Sequence, residues 1–282
     1  MDSALLSEII AGLKDGSVVP CLGAEVLADV VSPPTLARMP ATSDELIYGL
    51  NDGKPMAQKL MYEFARAAMN IELKRGRASI SNFLTKTYGE TPWTRSALHD
   101  WIKHISPRYV IDINRDTQLL DSYAGIPHYL VQGCARMSGL LYRFNLYQSD
   151  GQRYTPIQPE DATEALPVLF KPLGSPLPQP SYIASDADYV DYITELMGGL
   201  AVPPFVKTLR LNKRYLFIGM RLDRDTERMV MSDLIAGAAP EGGWAFLPEP
   251  TRKEIKFCKR HNIMLIEESF QALMKEPDAA VC

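Results

Sequence analysis

The chain has 282 residues, of which 46% are hydrophobic and 23% are charged, and its net charge is −4 at pH 7. These values are typical of a folded globular protein with a sizeable core. The negative charge argues against nucleic acid or an anionic membrane as a partner, and no apolar run approaches the roughly 18 residues of a membrane span.

The first elements are a helix and a buried strand. Residues 3–15 predict an amphipathic helix, because apolar side chains recur at helical spacing and Gly16 can cap its end. The segment has early acids and no basic stretch, so we expect no signal peptide. The strand SVVPCL follows and runs into a tight turn at Gly23. This layout can hold a phosphate, but the acid Glu25 lies where a small residue is expected.

The cysteines and histidines give no sign of a metal centre. No cysteine pair has C-x-x-C spacing, which argues against a zinc ribbon, and we expect reduced thiols in a cytoplasmic protein. His99 and His104 are five residues apart and would not share a helix face, so we predict no metal. The cysteines are Cys21, Cys134, Cys258 and Cys282.

The middle of the chain changes from helical to strand-like patterns. Prolines in residues 32–39 predict a loop, and residues 43–105 predict mostly helices, most clearly over MAQKLMYEFARAAMNIELKRGR. Buried strands are expected at RYVIDI, residues 108–113, and at PHYLVQG. The next stretch alternates around a turn at residues 149–151, which predicts a β-hairpin.

The rest of the chain alternates strands and helices. Strands are expected at PVLFK, RYLFIGM, GGWAFL and NIMLIE. Helices are expected between them, with a last short helix at the end, and Ser185 and Asp188 have the spacing of a capping box. This alternation predicts an α/β fold with a mainly parallel sheet.

Four predicted strands end in polar or glycine-rich segments. Ligands bind at the carboxyl ends of strands in open parallel sheets, so these segments are the candidate site. Each also has a structural interpretation, as a turn, a helix cap or a close approach of helix and sheet. The segments are Gly23-Ala24-Glu25, Asn114-Arg115-Asp116, Lys171-Pro172-Leu173-Gly174-Ser175 and Gly219-Met220-Arg221-Leu222-Asp223.

Taken in order, these segments resemble the motifs of the sirtuin-like superfamily, and of its bacterial sirtuin-like domain group more than the zinc-containing deacetylases. VVPCLGAEV is similar to the family's V-P-F-L-G-A-G-V, IDINRD to T-T-N-Y-D, and FKPLGS to K-L-H-G-S. SYIASDADYVDYI is similar to S-x-V-I-T-E-D-D-Y-x-D-Y, and LFIGMRLDRD to F-L-G-Y-S-x-x-D. The likeness extends from residue 5 to about residue 275.

The resemblance implies a single sirtuin-like domain over residues 1–282. Its fold would be a Rossmann-like, mainly parallel sheet with helices on both faces, a helical insertion at about 35–105 and a β-hairpin region at about 134–165. Asn114 and Asp116 would lie near the nicotinamide ribose, and the family's catalytic histidine position falls on Leu173. The residues implied to contact NAD or ADP-ribose are Gly23, Ala24, Glu25, Gly219, Arg221 and Asp223.

Each of the four strand-end motifs departs from the family pattern. A carboxylate such as Glu25 at about 4 Å from a phosphate costs on the order of 1–4 kcal/mol. Asp112 replaces a threonine and would add a second negative charge. Leu173 cannot transfer a proton, and loss of a general base costs about 10²–10⁴ in rate. Arg221 replaces a serine and could hold a phosphate, or pair with Glu25 or Asp112.

These departures predict a degenerate, catalytically silent member with weak or lost binding of NAD or ADP-ribose. It would act in the cytoplasm as a scaffold or regulatory partner of another protein, with a homo-oligomer also open. One alternative is an NAD hydrolase of altered mechanism, in which Asn114 and Asp116 position a water. Another is a binder of a different nucleotide-like or anionic ligand in the same crevice. A deacylase is not expected, because the histidine and the zinc cysteines are absent.

Overall fold

A computed structural model describes residues 2–137, 141–163 and 165–275. The α-helices in these residues are α1 (Ser3–Asp15), α2 (Ser43–Leu50), α3 (Phe64–Arg75), α4 (Arg77–Thr85), α5 (Ala97–Ile105), α6 (Gln118–Ser122), α7 (Asp186–Met197), α8 (Pro204–Leu209), α9 (Asp225–Leu234) and α10 (Arg252–Arg260). The strands are β1 (Val18–Leu22), β2 (Tyr109–Asp112), β3 (His128–Gly133), β4 (Phe144–Ser149), β5 (Tyr154–Pro156), β6 (Val168–Lys171), β7 (Gly174–Ser175), β8 (Ser181–Tyr182), β9 (Arg214–Ile218), β10 (Gly243–Phe246) and β11 (Ile263–Ile266).

Nine of these strands form one sheet in the order β11-β10-β9-β1-β2-β6-β3-β4-β5. All neighbours from β11 to β3 are parallel, whereas β4 and β5 are antiparallel to the strands before them. The strands β7 and β8 form a separate antiparallel pair. The predicted α/β fold with a mainly parallel, Rossmann-like sheet is therefore confirmed.

The central strands of the sheet are buried on both faces. In β1, Val18 and Leu22 belong to one hydrophobic cluster, while Val19 and Cys21 belong to another, as expected because successive strand residues point to opposite faces. Helices α1 and α5 contribute to the first cluster, and α7, α9 and α10 contribute to the second. Burial on both faces explains why the parallel strands read as continuous apolar runs.

The β-hairpin expected around residues 149–151 is formed by β4 and β5. Ser149 is opposite Tyr154, and the Asp150 N–H donates to the Arg153 carbonyl oxygen at 3.2 Å across the turn. Residues 138–140 and 164 of the predicted hairpin region lie outside the described residues. The turn chemistry of Asp150 and Gly151 was sufficient to locate this element.

The helix predicted over residues 56–77 is wrong in its first part. Residues 58–62 form turns, and α3 begins only at Phe64. Glu63 is extended, with φ −156 and ψ 137, and the Phe64 N–H donates to the Ser43 hydroxyl at 3.3 Å. This contact between distant residues overrides local helix propensity, which is a weak preference of less than about 1 kcal/mol per ordinary residue.

The last short helix expected from the sequence is a 3₁₀ helix over Phe270–Met274. Among the described residues, no helix is long and apolar enough to cross a membrane. Cys21, Cys134 and Cys258 are free and buried, while Cys282 lies outside the described residues.

Candidate functional site

A cleft of about 240 Å³ opens at the carboxyl ends of the parallel strands. The segments after β1, β2, β6 and β9 all reach it, and β1 lies between β2 and β9 in the sheet. The chain first builds the sheet on the β2 side of β1 and later returns to the other side at β9. The cleft therefore lies where the strand order reverses, which is where open α/β sheets bind ligands.

The helical region before β2 supplies the outer wall of the cleft. Residues 41–44, residues 63–65 and Tyr88 line it opposite the strand ends. Glu63 and Phe64 reach the cleft because α3 begins late, at the point where the sequence pattern alone predicted a continuous helix. The break in the helix thus places an acid and an aromatic ring at the site.

The glycine turn after β1 uses two of its N–H groups for hydrogen bonds within the protein. The Gly23 N–H donates to the Ile218 carbonyl oxygen at 3.0 Å, and the Glu25 N–H donates to the Gly219 carbonyl oxygen at 2.9 Å. A backbone phosphate cradle needs such N–H groups free to point at the anion. Two donors of the expected cradle are therefore already bound within the protein.

Gly23 is required for the close approach of two strand ends. A Cβ atom at Gly23 would lie 2.3 Å from the Met220 Cα. We expect Gly23→Ala to lower the free energy of unfolding by about 1–3 kcal/mol, because the backbone must shift. Urea denaturation without ligand measures this loss. Gly198→Ala is the control, since a Cβ there meets nothing closer than 3.4 Å, and equal losses would contradict a packing role for Gly23.

Asn114 lines the cleft, but its amide group is held by the protein. Its Nδ2 donates to the Gly23 carbonyl oxygen and to Asp112 Oδ1, both at 2.9 Å. The Asn114 backbone N–H also donates to Asp112 Oδ1, at 2.9 Å. Both amide hydrogens are therefore used, and the side-chain carbonyl oxygen is the part left for a ligand.

Asp112 is fully buried beneath the cleft, where it pairs with Lys171. The Lys171 Nζ donates to Asp112 Oδ2 at 2.7 Å, and both side chains are wholly inaccessible to solvent. Burial raises the pKa of Asp112, but Lys171 and His99 outweigh this and lower the pKa to about 2. Asp112 does not line the cleft and does not pair with Arg221, so the expectation that its charge faces the cofactor does not hold.

Asp116 lies in the same buried cluster and not on the cleft wall. Its Oδ1 accepts the Gln118 N–H at 2.7 Å, while its Oδ2 has no hydrogen bond in the described part of the chain. The ligand atoms of His99, Asp112 and Asp116 lie within 4.8 Å of one another, and both His99 ring nitrogens lack a hydrogen bond. A metal ion bound there would have to displace the Lys171 ammonium from Asp112. Histidine spacing alone could not reveal this group.

Leu173 lies in the cleft wall, at the position implied for the family's histidine. It is 4% exposed and lines an apolar part of the cleft with Ile113 and Tyr189, next to Val230 and Met231. These side chains offer no imidazole to accept a proton from a bound ribose. Leu173 itself cannot act as a general base.

Arg221 binds mainly to Glu254, a residue that the sequence did not indicate as part of the site. Its Nε lies 2.9 Å from Oε1 of Glu254, which is fully buried, and its Nη2 donates to Glu254 Oε2 at 3.0 Å. Glu25 is a weaker partner, with 3.9 Å between its Oε1 and the Arg221 Nη1. Partial burial raises the pKa of Glu25, and Arg221 opposes that rise. The predicted pairing of Arg221 with Glu25 is thus present, but secondary to Glu254.

Carboxylates outnumber guanidinium groups around the cleft. Burial raises the pKa of Glu227 to about 8, and the charges of Asp223 and Glu63 add to the rise. Within the part of the chain that the structure describes, Glu227 has no hydrogen bond or ion pair. The acids that line the cleft are Glu25, Asp44, Glu63, Asp223 and Glu227, and the arginines are Arg115, Arg221 and Arg224.

The structure brings some, but not all, of the expected site residues to the cleft. Gly23, Gly219 and Asp116 are absent from its lining, and the two glycines pack turn against turn. Glu63 and Glu227 were missed, because neither belongs to a recognisable motif. Those that line the cleft are Ala24, Glu25, Asn114, Leu173, Arg221 and Asp223.

Known families provide a further line of evidence. The model of the SIR2-like domain family matches residues 110–266, more than half of the 282-residue chain. A search of the curated proteins found no match. The matched part contains most of β2 and all of β6 and β9, and the segments after these strands line the cleft. The chain therefore belongs to the SIR2-like domain family.

Proposed function

We propose that this chain is a SIR2-like protein that does not turn over NAD and that acts as a regulatory or scaffold protein. The observation that carries this proposal is Leu173 in the cleft wall, with no imidazole among the residues that line the cleft. Without a group to accept a proton from the ribose, the reaction would lose about 10²–10⁴ in rate.

The state of the phosphate-binding groups supports the same proposal. The N–H groups of Gly23 and Glu25 are used within the protein, and the guanidinium of Arg221 is bound by the buried Glu254. A pyrophosphate would have to break these contacts and approach the Glu25 carboxylate. Weak or lost binding of NAD and ADP-ribose is therefore expected.

An NAD hydrolase that uses Asn114 and Asp116 has less support. Asn114 faces the cleft with only its carbonyl oxygen unbound, and Asp116 lies in the buried cluster with His99.

A different ligand in the same crevice has a specific observation in its favour, since the cleft is open despite the Arg221–Glu254 pair. We propose that the partner is another protein. We also propose a cytoplasmic location, and the free, buried cysteines Cys21, Cys134 and Cys258 support the location.

We expect no release of nicotinamide when the purified protein is incubated with millimolar NAD. The physical reason is the missing base at Leu173, and chromatography of the reaction mixture measures the product. Asn114→Ala is the control, because any release that persists in this variant comes from a contaminating enzyme. Release by the wild-type chain that Asn114→Ala abolishes would contradict the proposal, as would micromolar binding of NAD in a calorimetric titration.

A further inference from the structure

The acidic side chains that line the cleft are not balanced by the basic side chains that line it. Five acidic side chains line it against three guanidinium groups, and the four acids other than Glu227 still outnumber the arginines. Each of the three arginines already has a partner within the protein. Arg221 binds Glu254, and the Arg224 Nε lies 3.4 Å from the Asp223 Oδ2. Arg115 donates to the Ile183 carbonyl oxygen at 2.6 Å. The cleft therefore offers excess negative charge and little free positive charge.

Glu227 is the acid on which the negative charge of its neighbours acts most strongly. Its carboxylate lines the cleft beside Leu173 and Tyr189 and has no hydrogen bond or ion pair within the described residues. Two carboxylates, Asp223 and Glu63, act on it unfavourably, and the cations Arg115 and Arg224 compensate only in part. A partly buried acid without a partner is costly, and a bound cation would remove that cost.

The shape of the cleft restricts what could supply the cation. Its volume of about 240 Å³ is below the roughly 300–1,000 Å³ of pockets for drug-sized ligands, so a small molecule fits better than an intact dinucleotide. Aromatic side chains of Tyr88 and Tyr189 form part of the lining, while the ring centroid of Phe64 already lies 5.5 Å from the Arg115 guanidinium carbon. Ammonium and guanidinium groups bind favourably to both carboxylates and aromatic faces.

We propose that the cleft binds a small organic cation carrying an amine or guanidinium group, with the Glu227 carboxylate as its principal partner and Glu63 as a second. This inference concerns the same cleft as the proposed function and rests on the cleft not holding NAD. Nicotinamide release and amine binding are separate measurements, so either proposal can fail while the other stands.

Isothermal titration with spermidine and agmatine tests the inference directly. In the free protein Glu227 is mostly protonated at pH 7, because its pKa is about 8. A bound cation favours the carboxylate, so binding should release close to one proton per amine at pH 7 and much less at pH 9. Titrations in PIPES and in Tris, whose ionisation enthalpies differ, measure the released proton. Pyrophosphate and NAD are the anionic comparators and should bind more weakly.

Two variants separate a binding role from a structural one. Glu227→Gln should weaken amine binding at least tenfold, because a charged hydrogen-bond partner is lost, and should abolish proton release. Glu63→Gln removes a charge that raises the pKa of Glu227, so proton release at pH 7 should decrease. Glu267→Gln, at an exposed position, should behave as the wild type.

Three results would overturn the inference. They are no binding of either amine at millimolar concentration, equal amine affinity in the wild type and a folded Glu227→Gln variant, and tighter binding of pyrophosphate than of both amines. If Glu227→Gln does not fold, proton release by the wild type and its decrease in Glu63→Gln decide the question. Binding without proton release would then also contradict the role of Glu227.

Discussion

Replacing Lys171 with methionine is expected to lower the free energy of unfolding by about 3–5 kcal/mol. Lys171 and Asp112 are both inaccessible to solvent, and 2.7 Å separates the ammonium nitrogen from the carboxylate oxygen. The methionine fills much of the same volume but leaves the carboxylate buried without its cation. Urea denaturation with linear extrapolation measures the loss. Because Asp112 also holds Asn114, the β2 end of the cleft should loosen with it.

The control variants test whether charge is the cause. Lys256→Met changes an exposed lysine and should alter stability by no more than about 0.5 kcal/mol. Combining Lys171→Met with Asp112→Asn removes both charges and should cost less than the sum of the single changes, since the unpaired charge is gone. A loss below about 1 kcal/mol for Lys171→Met alone would show that Asp112 has found another partner.

The same pair predicts how stability depends on pH. The folded-state pKa of Asp112 is about 2, below the value of about 3.9 for an unfolded aspartate. The stabilisation by Asp112 is therefore present above about pH 4 and is lost as the pH falls toward 2. The variant with Asp112→Asn and Lys171→Met should lack this part of the acid-induced loss.

The sequence pattern predicts the sheet well because parallel strands buried on both faces leave a simple apolar signal. RYLFIGM and RYVIDI were both identified as buried strands, and they are β9 and β2 on either side of β1. The apolar runs also predict where each strand ends, and therefore where the glycine turns lie. In a parallel sheet the carboxyl ends must lie at one edge, so the position of the cleft follows from the strand order.

The chemistry of the cleft could not be predicted in the same way, because it depends on which distant residues meet. Lys171 neutralises Asp112, and Glu254 binds Arg221. Neither ion pair can be predicted from the residues around it in the sequence. Glu63 reaches the cleft only because α3 begins late, against local propensity. Tertiary contacts thus decided which charges face a ligand and which are buried beneath it.

Asp188→Ala is expected to lower the free energy of unfolding by about 2–4 kcal/mol, because it leaves two buried N–H groups without acceptors. The residue belongs to the segment resembling D-D-Y-x-D-Y, and it does not line the cleft, unlike its neighbour Tyr189. Asp188 is 1% exposed, and its Oδ2 accepts the N–H groups of Ala184 and Ser185, both at 2.9 Å. Its carboxylate also binds Arg77, and its Oδ1 accepts Arg136 Nε at 2.8 Å.

These contacts make Asp188 a junction between three parts of the chain. Arg77 begins α4, Arg136 follows β3, and Asp188 lies in the first turn of α7. Asp186→Ala is the matched control, since Asp186 lies in the same turn without these bonds and should lose only the helix-dipole interaction of about 0.3–1 kcal/mol. Thermal or urea unfolding of the two variants decides between the explanations. Equal losses would attribute the effect of Asp188 to the helix dipole, whereas a clearly larger loss for Asp188→Ala shows that the junction itself stabilises the fold.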